Sequence, residues 1–151
     1  MEFTIDLDLS RFNIPDVQSR EGKVGIINDS PNKKTTNAVI AEANEREYGW
    51  ITGIGTFVPP RSTIRVPLEM KRDEILKRTA ESLTEFTQKG IDNAIEEMGQ
   101  ACLDAIQGAF DTGGYGQWED NAPSTIRQKG RNEPMVDEGI LRSAYSYEVK
   151  K

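Results

Sequence analysis

The sequence predicts an α+β domain in which a small, mostly antiparallel sheet packs against one long or broken helix, with a long proline-bounded loop before the C-terminal strand. Three observations carry this. Apolar and polar residues alternate near both ends of the chain. Apolar residues in the middle return at three, four and seven, and clusters of glycine and proline separate the two patterns. With 151 residues the chain fits a single domain. Residues 1–22 read as a strand followed by a variable segment, and 23–149 as the core of the domain.

Each element follows from its own pattern. Phe3, Ile5, Leu7 and Leu9 alternate with Thr4, Asp6 and Asp8, as a half-buried strand requires. After a polar stretch from Arg11 to Gly22, Lys23 to Ile27 reads as a second strand ending in the turn-rich Asn28 to Asn32. Ala38, Val39, Ala41 and Ala43 allow a short helix that closes near Tyr48-Gly49, glycine being the usual residue just past a helix end. Trp50 to Thr52 and Thr56 to Val58 flank Gly53-Ile54-Gly55 and predict a hairpin, and Pro59-Pro60-Arg61 stops both strand and immediate helix. The lone Gly-Ile-Gly lacks the further glycines, lysine and following helix of a phosphate loop.

Two helices follow. Leu68, Ile75, Leu76, Thr79, Leu83 and Phe86 mark the first, with a break expected at Lys89-Gly90. The second repeats its stripe through Ile91, Ala94, Ile95, Met98, Cys102, Ala105, Ile106 and Ala109. Its interior Gly99 costs about 1 kcal/mol relative to alanine, which a close approach by another element would offset. Cys102 on that stripe reads as a small core hydrophobe. Beyond Phe110, Asp111 to Gly116 reads as a flexible loop and Gln117 to Glu133 as a polar, turn-rich connection. Ile140 to Ser143 allows one helical turn, and Tyr145 to Val149 alternates as a closing strand.

Composition limits the chemistry. The chain has no histidine and one cysteine, so histidine acid/base pairs, Ser-His-Asp triads, Cys/His zinc sites and internal disulfides cannot be built. No apolar run approaches the roughly 20 residues of a spanning helix. Glu2, Asp6 and Asp8 stand where a signal peptide would be basic and then apolar, so an intracellular product is expected. The segment from Gly90 to Asn121 has seven acids and no lysine or arginine, against a formal net charge of -6 for the whole chain. That balance argues against a dedicated nucleic-acid binder. Its simplest reading is a solvated helix face. Asp92 and Glu96 would share one face of it, whereas adjacent Glu96 and Glu97 diverge by about 100 degrees and supply no facing pair for acid/base work. Trp118, set among Arg127, Lys129, Arg131 and prolines, reads as an exposed anchor for a protein interface.

At the C-terminal third the sequence resembles a known family. Trp118-Glu119-Asp120-Asn121-Ala122-Pro123-Ser124-Thr125-Ile126, then Lys129-Gly130, Pro134-Met135-Val136-Asp137, Gly139, Leu141-Arg142-Ser143 and Tyr147-Glu148-Val149 are similar to the signature of bacteriophage tail-completion, or neck, proteins of virion morphogenesis. Glu47-Tyr48-Gly49 and Pro59-Pro60-Arg61 stand in the family's order before the long helix. With the Val24-Gly25-Ile26 strand, the resemblance runs from Lys23 to Val149. Glu138 stands where threonine is usual, Met135-Val136 replace Leu-Ile, and the turn at Gly53-Ile54-Gly55 lengthens the middle.

The resemblance implies a non-enzymatic structural protein without cofactor or metal, made in the host bacterial cytoplasm and residing in the virion. There it would form a ring, sixfold by analogy, between the head connector and the tail tube or terminator, with DNA passing through unbound. Loops carrying Pro59, Pro60 and Arg61, and Trp118, Pro123, Thr125, Lys129, Pro134, Asp137, Gly139, Leu141 and Arg142, would make the contacts. Asp92, Glu96 and Glu97 would then face the lumen. Asp137 with Gly139 would form a turn and cap the helical turn at Ile140. A head-side stopper or minor tail component is the nearest alternative, and a small regulatory or nucleic-acid-binding module a more distant one.

Overall fold

The computed structural model describes residues 2–7, 18–27, 37–130 and 139–150. The fold is α+β. Strand β1 (Glu2–Leu7) pairs antiparallel with β2 (Arg20–Ile26), which pairs antiparallel with β5 (Tyr145–Lys150), giving a sheet in the order β1-β2-β5. Between β2 and β5 come α1 (Asn37–Tyr48), the hairpin β3 (Trp50–Ile51) and β4 (Phe57–Val58), α2 (Arg65–Met70), α3 (Arg72–Ser82), α4 (Gln88–Thr112), α5 (Pro123–Lys129) and α6 (Ile140–Ala144).

The long helix α4 organises the domain. Its stripe of Ile91, Ala94, Ile95, Cys102, Ala105, Ile106 and Ala109 is buried, and it packs on β2 and β5 on one side and along α3 on the other. Val24 and Ile26 of β2 and Tyr145 of β5 complete the core with Val39, Ala43 and Ile64. Such full burial contributes roughly 1.5–3 kcal/mol for each large aliphatic side chain. Phe110, at the far end of α4, meets the Trp118 ring edge-on at 5.4 Å and the Tyr145 ring at 6.0 Å. Gly99 is a close-approach position: a Cβ there would lie 2.5 Å from Tyr147 Cδ2 on β5. Cys102 is buried in the same face, and desolvation pushes its thiol up to about 11.

Several expectations are corrected. The break between helices falls at Leu83–Thr87, not at Lys89-Gly90. The Thr87 hydroxyl accepts the Gly90 N–H at 3.2 Å and so starts α4 earlier, while a Cβ at position 90 would land on the Glu85 carbonyl. The glycine therefore admits the preceding chain and does not end a helix. The first helix is two, α2 and α3, joined at Lys71, and α2 carries Pro67 within its first turn, where the missing N–H has no intrahelical partner to lose. Leu76 and Phe86 are exposed despite their place on the apolar period. Strand β2 begins at Arg20, inside the stretch read as polar connection. Asp111 and Thr112 continue α4. A left-handed Gly113 cap and the Tyr115 hydroxyl, which donates to the Ala105 carbonyl at 2.8 Å, fix the turn expected to be flexible. The connection from Gln117 contains α5, with Pro123 at its start where proline's fixed φ suits a helix.

Two outcomes are expected. Gly99→Ala should lower unfolding free energy in urea by about 1–3 kcal/mol, because the added methyl collides with the Tyr147 ring. Cys102 should stay unreactive toward a soluble thiol reagent at neutral pH in the folded protein and react fully once denatured.

Candidate assembly interface

The chain entering α2 converges on a buried carboxylate. Glu47, at the last turn of α1, is 2% exposed. Its Oε1 accepts the Ser62 hydroxyl at 2.6 Å and the Arg65 N–H at 3.1 Å, and its Oε2 accepts the N–H groups of Thr63 at 2.8 Å and Ile64 at 3.1 Å. It thus serves as a long-range cap for α2, whose own N-cap, Ile64, has no side-chain acceptor. Ser62 Oγ accepts the Val66 N–H at 2.9 Å, and Thr63 Oγ1 shares a hydrogen bond of 2.5 Å with the Tyr145 hydroxyl. Burial pushes Tyr145 well above the usual phenol range, so it stays a neutral partner.

The segment after α4 closes over this turn. Trp118 is 8% exposed, and its indole N–H donates to the Ser62 carbonyl at 3.1 Å. The Arg61 Nε and Nη2 donate to the carbonyls of Glu119 and Asp120, each at 3.1 Å. Burial and then the neighbouring Arg46 guanidinium hold Arg61 below the usual arginine range, while Glu119 opposes them.

The expected contact residues therefore divide. Trp118 is not an exposed anchor: its indole fills the space above Phe110, and its N–H satisfies a buried carbonyl. Leu141 is likewise buried in the core. Gly139 is the left-handed N-cap of α6, without a side-chain cap. Arg142 grips Asp111 with two bonds of 2.6 and 2.9 Å. Pro60 and Pro123 are exposed, and Pro59 and Thr125 half-buried. Pro134, Asp137 and the Lys129 side chain lie outside the described residues.

The acidic segment is not an uncompensated face. Asp92 accepts Arg20 Nε at 2.7 Å, and Arg78 bridges Glu97 at 2.7 Å and Asp104 at 2.8 Å. These two carboxylates hold Arg78 above its usual range. Of the three acids assigned to a lumen, Glu96 is the exposed one. Between α3 and α4 a cavity of about 110 Å³ is lined by Lys71, Glu74, Arg78, Asp104 and Tyr115. Lys71 bonds Glu74 at 2.9 Å and lies 5.1 Å above the Tyr115 ring. These groups are engaged with one another. Among the described residues no cluster of three or more acidic or cysteine side chains is placed to hold a metal, and no helix is long and apolar enough to cross a membrane.

Sequence reasoning missed a second feature. Tyr48 and the β3–β4 hairpin residues Ile51, Ile54 and Phe57 are 69, 70, 90 and 62% exposed. The signal was present, because Gly49 to Pro60 is twelve residues without a single charge.

Comparison of the chain with family models, curated proteins and solved structures found no match.

Two substitutions test the buried cap. Glu47→Gln should destabilise by about 2–4 kcal/mol in urea unfolding, because one amide group must then face N–H donors. Trp118→Phe keeps an aromatic ring near Phe110 but leaves the Ser62 carbonyl without its donor, and should cost about 1–2 kcal/mol. An exposed tryptophan would give no change.

Proposed function

We propose that this protein is a structural component of a long-tailed bacteriophage virion, a tail-completion subunit whose ring joins the head connector to the tail. The observation that supports this reading is the convergence of motif residues far apart in sequence. Glu47, Arg61 and Trp118 belong to the two separate stretches that resemble the family, and they meet around the Ser62 to Arg65 turn. Arg61 of one stretch donates to the carbonyls of Glu119 and Asp120 of the other, and Glu47 and Trp118 hold opposite sides of the turn between them. The mechanism is binding: a rigid α+β subunit presents fixed loops to its neighbours, and heterologous contacts close into a ring. No bond is made or broken. The neighbours in this reading are further copies of the chain, the head connector and the tail tube or terminator.

Disrupting the gene in its own genome and viewing lysates by electron microscopy tests the role. Filled heads separate from finished tails are expected, with infectivity restored by supplying the protein in trans. Intact infectious particles would sink the reading.

A further inference from the structure

Helix α3 is held to the fold differently from the helix that follows it. Of its 11 residues Ile75 is the buried one, whereas α4 buries a stripe along the whole of its 25. Arg72, Asp73, Glu74, Lys77, Arg78 and Glu81 make more than half of α3 charged. Isolated helices shorter than about 12–15 residues are marginal in water, so α3 persists because it docks. That docking is thin. A cavity of about 110 Å³ lies beneath it, with Ile75, Ala101 and Ala105 as the apolar part of the lining.

One guanidinium closes the interface. Arg78 Nε donates to Glu97 Oε1 at 2.8 Å, Nη2 stands 2.7 Å from the same oxygen, and Nη1 donates to Asp104 at 2.8 Å. Glu97 and Asp104 are seven residues apart, so a single side chain spans about two turns of α4. The side chains of Arg78, Glu97 and Asp104 are 32, 35 and 45% exposed, which leaves the fork within reach of dissolved ions.

The elements on either side are secured without α3. Glu47 and Ser62 hold the start of α2, and the Thr87 hydroxyl caps the start of α4. The backbone departs from helical geometry at both joints, with φ -98° and ψ 9° at Lys71 and φ -81° and ψ 79° at Leu83. Lys71 gives α3 no side-chain cap, and it stays over the Tyr115 ring at the far end of α4. We infer that α3 is a salt-sensitive arm: it opens from α4 as a unit about Lys71 and Leu83, with the Arg78 fork as its latch, while α2, α4 and the sheet keep their structure. Opening frees Glu97 and Asp104 and uncovers the face of α4 that carries Ala101 and Ala105.

Native-state hydrogen exchange of the whole chain, read residue by residue by NMR, tests this. Relative to their intrinsic rates, the helical N–H groups from Leu76 to Ser82 should exchange on the order of 100-fold faster than those from Cys102 to Ile106. Raising sodium chloride from about 0.01 to 1 M shortens the screening length from about 30 to 3 Å. The α3 groups should then exchange about three- to tenfold faster. Arg78→Met should produce a similar acceleration at low salt and lose most of the response to salt. Ile26→Val loosens the core on β2, away from α3, and should speed the α4 groups about two- to tenfold while leaving the α3 groups unchanged.

Exchange of α3 as slow as that of α4, acceleration of the α3 groups by Ile26→Val, or wild-type α3 rates that do not move with salt overturns the inference. So does a full salt response in Arg78→Met. The wild-type salt series and Ile26→Val decide the matter even where Arg78→Met does not fold.

Discussion

A buried carboxylate that none of the ion pairs among the described residues reaches constrains this fold more than any other single group. Taking such a group out of water costs several kcal/mol unless hydrogen bonds replace the lost solvation. Glu47 is satisfied by one hydroxyl and three consecutive backbone N–H groups from Thr63 to Arg65. Those donors are aligned only when the chain turns into α2 at this point. The end of α1, the start of α2 and the Tyr145 hydroxyl of β5 are thus set relative to one another. Trp118 then covers the turn through the Ser62 carbonyl, which ties the segment after α4 to the same place.

This arrangement gives the residues expected to make contacts a different task. Glu47, Arg61, Trp118 and Leu141 point inward or spend their donors on backbone carbonyls. These residues therefore build the inside of the domain. The hairpin around Gly53-Ile54-Gly55 is where large apolar side chains meet solvent. Its base is fixed at Arg46 and Arg61, so its tip can vary without disturbing the Glu47 cap.

What could be read from the sequence was what repeats locally. The α4 stripe, the hairpin and the closing β5 strand each span consecutive residues with one period, and each is present in the structure. Leu76 and Phe86 misled because a period locates a helical face without saying how many partners cover it. Trp118 misled for the opposite reason: polar neighbours along the chain concealed that Phe110 and Ser62 enclose it in space. The Glu47 cap left no local trace, since its donors are 15 to 18 residues away on a different element. Helix α5 was hidden by Pro123, read as a loop residue although it occupies a first helical turn.

Charge shows the same separation between sequence and space. A window from Gly90 to Asn121 is wholly acidic, yet Asp92, Glu97, Asp104 and Asp111 take arginines from β2, α3 and α6. These pairs are partly exposed, so each stabilises only modestly, on the order of 0–1 kcal/mol. Their larger effect is on orientation, because a misplaced α3 would leave Glu97 and Asp104 facing one another without Arg78 between them. The acids are thereby used within the subunit, and the field they project outward is smaller than the sequence count implies. Salt weakens exposed ion pairs but leaves the removal of apolar side chains from water intact. The ion pairs that hold α3 against α4 therefore weaken with added salt, whereas the burial of the α4 stripe does not.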